Sequence, residues 1–174
     1  MIETIEKLNY VLALGGVVGI FVTLALAYDL KTKRRLTALV QCWALVGAFF
    51  ATLGSSIMTL VYSEYFGITP CGLCWSERIA LYPQVLLLGM AYYYKDTLIA
   101  RYGIGLSIFG LIVSLYHHYI QMGGSEFVRC PTSGEDCAKR FLYEFDFMTF
   151  PLLAAILFAF LIVLYLYILK TKND

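Results

Sequence analysis

The stretch Thr69–Tyr82, TPCGLCWSERIALY, sits where one long apolar run of the chain ends and the next begins. It sets Cys71 and Cys74 two residues apart, with Pro70 restricting the backbone that leads into them. A CxxC pair by itself serves zinc sites, thioredoxin-like motifs and simple staples alike. Arg78 follows Cys74 by four residues, one helical turn, so both side chains share a face if a helix starts near the motif. A dithiol at the edge of an apolar run, with a guanidinium beside it, predicts redox chemistry handed to something dissolved in lipid.

Composition puts lipid on the page independently. The 174 residues are 60% hydrophobic and 14% charged, with a mean hydropathy of +0.75. A soluble domain carries nearer a quarter charged residues, so the chain reads as an all-α integral membrane protein. A net charge of +1 without a basic patch excludes a nucleic-acid partner. Spanning helices need about 20 mainly apolar residues. Five segments are predicted as spans of one membrane domain, residues 8–28, 38–62, 79–94, 102–121 and 147–169. The third is short and borrows its first turn from the CxxC region.

Lys31, Lys33, Arg34 and Arg35, then Lys95 and Arg101, then Lys170 and Lys172 fall on one side of this arrangement. By the positive-inside rule that side is cytoplasmic, so the N-terminus is outside, the C-terminus inside, and loops 63–78 and 122–146 are exported. Ala25-Leu26-Ala27 offers a rival reading as a cleavage site, but Glu3 and Glu6 and the long apolar run do not suit a signal peptide. Tyr62, Tyr65, Phe66 and Trp75 at one edge and Tyr92, Tyr93 and Tyr94 at the other read as interfacial anchors.

Four of the five cysteines fall in the two exported loops, Cys71 and Cys74 in the first, Cys130 and Cys137 in the second. Disulfides persist on that side of a membrane and not in the cytosol. Pro131, Ser133 and Gly134 favour a tight reversal between the second pair. A permanent staple and a four-cysteine zinc site remain open for these residues, although zinc sites usually draw on two closely spaced pairs. Cys42, inside the second span, reads as a small apolar residue and is expected to be dispensable. His117 and His118 close the fourth span, just before Gln121. Adjacent helical residues point about 100° apart, so at most one histidine faces the bundle.

The pattern Cys71-Gly72-Leu73-Cys74 followed by Arg78, flanked by Thr52-Leu53-Gly54-Ser55 and Leu81-Tyr82-Pro83, resembles the first redox loop of the DsbB family of disulfide-bond-formation membrane proteins. The resemblance runs from about Ala38 to Leu169 and takes in the second cysteine loop, the His and Gln before it, and Phe150-Pro151 at the start of the last helix. It implies a four-helix bundle in the bacterial cytoplasmic (inner) membrane, to which the first span is an addition. It also implies a quinone-dependent thiol oxidase. On that resemblance, a DsbA-like thioredoxin-fold thiol oxidase would attack Cys130, Cys137 would pass electrons to Cys71, and Cys74 would face a quinone of the membrane pool, ubiquinone or menaquinone. Arg78, His117, His118 and Gln121 are the cofactor-binding candidates, and no metal is expected. Arg78 is expected to favour the Cys74 thiolate and the charge developing on the quinone. The extra span, the closer spacing of Cys130 and Cys137, and Glu77 beside Arg78 depart from the family pattern. Two other classes are weighed: a quinone reductase of the vitamin K epoxide type, and a membrane subunit with structural disulfides. The CxLCxxxR spacing and the downstream second pair favour the oxidase.

Overall fold

The computed structural model describes residues 2–32, 36–96, 98–125, 130 and 136–170, with side chains at all of these except 2, 36–39, 41 and 42. Cys42 therefore lies on a described helix, but its side chain is outside the described residues. The described residues form five α-helices: α1 (Ile2–Thr32), α2 (Leu36–Leu60), α3 (Gly72–Tyr94), α4 (Ile99–Gln121) and α5 (Phe150–Lys170). Among the described residues there is no strand, only an isolated bridge between Glu144 and Met148. The helices α1, α2, α4 and α5 are long and apolar enough to cross a membrane by length and composition. α3 is more polar because it carries the redox motif. It begins at Gly72, so the CxxC residues supply the first turn of this helix.

Helices α2–α5 form a four-helix bundle, and α1 is laid against its side. Inside lipid, helices gain little from apolar burial against one another, so small residues and hydrogen bonds decide which faces meet. On α4 the stripe Gly103, Ser107, Gly110 and Ser114 is buried. A Cβ on Gly103 or Gly110 would collide with the ring of Tyr165 or Phe158 on α5, so only glycine admits those aromatics. Gln84 of α3 ties three helices at this level. Its Oε1 accepts from Tyr165 Oη at 2.7 Å and from Ser107 Oγ at 3.1 Å, while its Nε2 donates to the Ala80 carbonyl at 2.8 Å. Its neighbour Pro83 has no amide hydrogen to continue the helical ladder at this point.

α2 does not end cleanly. It runs into a π-helical turn, Val61–Tyr65, of a kind that is rare and frequent near functional sites. The turn leads into the first cysteine loop with Tyr62 buried. α1 packs along α5 through Ala13, Val17 and Ile20 against Met148, Leu153 and Ile156. Its far end is tied by Tyr167 Oη to Asp29 Oδ2 at 2.9 Å and by Lys170 Nζ to the Leu30 carbonyl at 3.2 Å.

Candidate active site

Cys71 is the N-cap of α3. Its backbone is extended, and its sulfur accepts a hydrogen bond from the Cys74 amide at 3.3 Å. A sulfur in that position faces the positive end of the helix dipole, which favours its anion. The Cys74 sulfur lies 2.7 Å from it, and both cysteines are free. The Cys71 thiol is lowered to about 4, first by the hydrogen bond with Cys74 and then by His117, with burial opposing. The sequence pointed to Arg78 as the group favouring a thiolate, and to Cys74 as its beneficiary. The contacts that stabilise an anion converge instead on Cys71.

His117 organises the site. Its Nε2 is 3.6 Å from the Cys71 sulfur and 3.2 Å from the Cys137 carbonyl, and its Nδ1 is 3.0 Å from Glu77 Oε1. The carboxylate and the carbonyl can only accept, so each ring nitrogen must donate, and the doubly protonated ring meets both demands. The Glu77 side chain is 14% exposed and that of His117 1%, so a buried ion pair results. One imidazole nitrogen is thus shared between the first cysteine pair and the backbone of the second. Cys130 and Cys137 are joined in a disulfide with Cα atoms 6.3 Å apart. Cys137 is wholly buried and Cys130 partly open.

Of the two histidines, His117 faces the bundle. His118 turns to the start of α5, where Nδ1 takes a hydrogen bond from Thr149 Oγ1 at 2.8 Å. That hydroxyl oxygen also accepts from the Leu152 amide at 3.3 Å and caps the helix. Gln121 holds the second loop by donating from Nε2 to the Lys139 carbonyl at 3.1 Å. None of these three candidates lines the cavity described next. His117 sits between the cysteine pairs, and His118 and Gln121 fasten backbone.

Arg78 does line a cavity. A space of about 660 Å³ opens between α1, α2, α3 and α5, bounded at one end by Cys74, Glu77, Arg78 and Thr59. The remainder is apolar, with Phe50, Met58, Leu81, Phe150, Leu157 and Phe158 among its walls. Ala51, Gly54 and Ser55 on α2 keep it open. Arg78 is 9% exposed. It donates from Nη2 to the Thr59 carbonyl at 2.8 Å and lies 5.3 Å from the centre of the Trp75 ring. One of its five N–H groups is used in that hydrogen bond, so others remain for a ligand. An apolar chamber of this size with a few convergent polar groups suits a small ring compound with polar ends.

The donor atoms of Cys71, Cys74 and His117 lie within 4.8 Å of one another. Tetrahedral zinc with Zn–S bonds of about 2.3 Å holds its sulfurs roughly 3.8 Å apart. The pair would have to open by about an ångström before a thiophilic ion could enter, given its 2.7 Å separation and that bond length. The four-cysteine zinc alternative is not met, because Cys130 and Cys137 are bonded to each other. The sequence reading missed two participants. One is Glu77, which stands beside Arg78 in the sequence but pairs with His117. The other is Asn9, near the start of the first span; its Nδ2 donates to the Phe141 carbonyl at 3.0 Å and its Oδ1 accepts from Tyr62 Oη at 2.6 Å.

An all-α set of helices long and apolar enough to span a membrane, gathering two cysteine pairs at one end, defines a multi-pass membrane protein. The family model "Disulfide bond formation protein DsbB" matches residues 40–168. The chain is 36% identical over 143 residues to Disulfide bond formation protein C of Bacillus subtilis (strain 168), covering 82% of this chain and 99% of that protein. It is 37% identical over 148 residues to Probable disulfide formation protein C 1 of Bacillus cereus (strain ATCC 10987 / NRS 248), again 82% and 99%. With Probable disulfide formation protein C 2 of Bacillus anthracis it shares 33% over 127 residues, 73% and 90% of the two chains. No solved structure matches the chain. This protein belongs to the DsbB family, with a role in disulfide bond formation. The α1 helix lies outside the matched residues.

Proposed function

We propose that the protein is a thiol:quinone oxidoreductase of the bacterial cytoplasmic membrane. It reoxidises an extracytoplasmic, DsbA-like thioredoxin-fold oxidase and delivers the electrons to a membrane quinone, ubiquinone or menaquinone. The observation that carries this reading is the single nitrogen, His117 Nε2, within reach of both the Cys71 sulfur at 3.6 Å and the Cys137 carbonyl at 3.2 Å. The lysine and arginine distribution supports both cysteine loops, with the N-terminus, on the extracytoplasmic side.

The reaction runs as paired thiol–disulfide exchanges. A thiolate of the soluble partner attacks Cys130, the more accessible sulfur, and Cys137 leaves as a thiolate. The partner's second thiol closes its own disulfide and frees Cys130. Cys137 then attacks Cys71 of an oxidised first pair and expels Cys74, and Cys130 displaces Cys71 to restore the second disulfide. Two electrons have moved to Cys71 and Cys74. His117 holds positive charge beside the Cys71 sulfur and so favours it as an anion, and Glu77 keeps the ring oriented. A quinone supplies the oxidant, taking two electrons and two protons. Arg78 presents donors toward the chamber bordered by Cys74, and the apolar walls exclude water from it.

The test is turnover in liposomes. Purified protein with a reduced thioredoxin-fold oxidase should reduce added quinone one for one with partner disulfide formed. A protein that leaves the partner reduced, with both loop disulfides inert to mild reductant, would instead be the membrane subunit with structural disulfides.

A further inference from the structure

The helix that the family match leaves out contributes a wall to the chamber. Leu8, Val11 and Leu12 of α1 line it opposite Arg78 and Cys74, and without them one side of the space would face lipid. α1 lies along α5 over several turns but meets α2 only lightly. The chamber therefore has a seam between α1 and α2. Among the large apolar side chains that line the chamber, Val11 and Phe50 are the most exposed, 62% and 64%. The seam is held at one end by Asn9, itself 6% exposed. Its side chain joins Tyr62, at the end of α2, to the Phe141 carbonyl of the second cysteine loop. Both of those residues also line the chamber.

We propose that α1 converts an open groove of the bundle into a gated quinone chamber, with Val11 and Phe50 forming the lateral portal and Asn9 fixing its width. The inference rests on the quinone reading above. An isoprenoid quinone is the occupant because the chamber is apolar apart from its redox end and because the seam leads to lipid, where such a molecule is dissolved. The head ring sits beneath Arg78, and the tail leaves between α1 and α2. The portal thus discriminates by tail. A ring without a tail needs only transient passage, whereas a long tail must remain threaded through the seam during turnover.

The experiment compares Val11→Trp, Phe50→Trp and Leu14→Trp in full-length protein, with menadione as the tail-less quinone and a long-chain menaquinone. Leu14 is exposed on α1 and outside the chamber, so it controls for adding bulk to that helix. Either portal variant should raise the apparent KM for long-chain menaquinone by about tenfold or more, the scale of one overpacked contact. The KM for menadione should change far less, and Leu14→Trp should behave as wild type with both. Exchange between the two cysteine pairs, followed without quinone, reports that each variant is folded. Equal effects on both quinones, no effect on either, or the same effect from Leu14→Trp would overturn the portal. A wild-type protein that reduces neither of these nor ubiquinone would overturn the quinone reading itself, and the portal with it. Asn9→Leu adds a check that packing alone does not supply. It should relax the preference between tail lengths, while Asn9→Gln should retain part of it.

Discussion

Replacing His117 by alanine removes one ring and strands two groups. Glu77 loses the partner at 3.0 Å from its carboxylate, and the Cys137 carbonyl loses its donor at 3.2 Å. Breaking a buried charge pair costs about 3–5 kcal/mol. Glu77 retains 14% exposure and borders the chamber, so partial hydration puts the expected loss of stability near the lower end, about 3 kcal/mol. Glu77→Gln combined with His117→Ala should recover about 1–2 kcal/mol, since a neutral amide costs less to leave unpaired than a carboxylate. The functional signature is separate from this. In the reduced wild type Cys71 is ionised down to about pH 4, against an ordinary cysteine value of about 8.5. Its alkylation rate should therefore be flat across neutral pH. The thiolate's contribution to the stability of the reduced protein is complete above the ordinary cysteine value and is lost as pH falls through about 4. In His117→Ala the alkylation profile should move upward and the first pair should become less oxidising, because its reduced form loses a stabilising cation. The double variant should recover that part of the stability without restoring the profile. The assay is iodoacetamide labelling of the reduced protein against pH, alongside chemical denaturation. A His117→Ala protein whose labelling profile and rate of exchange between the pairs match wild type would refute the reasoning.

Arg78→Lys should insert normally and raise the apparent KM for quinone, because an ammonium cannot present the planar fork of donors. Arg78→Ala should raise it further, by about 10- to 150-fold for the loss of one hydrogen bond from a charged donor worth roughly 1.5–3 kcal/mol; steady-state kinetics in liposomes would read both. Gly110→Leu should destabilise the bundle by about 1–3 kcal/mol through its collision with Phe158, whereas Gly105→Ala, with open space at its Cβ, should be neutral or stabilising by a few tenths of a kcal/mol. Thermal unfolding in detergent separates the two.

The helices and the redox motif were legible because membrane spans announce themselves by length and because CxLCxxxR keeps its spacing in the chain. The bundle's interior was less so. Adjacent His117 and His118 must point to different faces, but nothing local to them says which face meets Cys71. That choice depends on the rotation of α4, which is set by its glycine stripe against Tyr165 and Phe158. The partner of Glu77 was not legible because in sequence it neighbours Arg78, whereas along the helix the two diverge, Glu77 toward α4 and Arg78 toward the Thr59 carbonyl. The place of α1 was hidden for another reason. It is apolar nearly all round, so no polar face betrays the side it buries, and its buried polar residues find their partners far along the chain, Asn9 in segments 53 and 132 residues away and Asp29 at Tyr167.

The central claim is that Cys137 hands electrons to Cys71, and the most direct measurement is the identity of the disulfide that links the two loops. With Cys74→Ala and Cys130→Ala combined, only Cys71 and Cys137 remain among the loop cysteines. Mild oxidation with diamide, which takes up the two electrons and two protons released, should join these two sulfurs intramolecularly. Peptide mapping without reductant would then find the Cys71–Cys137 bond in nearly every molecule, and His117→Ala in the same background should slow its formation. Two thiols that stay reduced, or that pair only between molecules, would contradict the account.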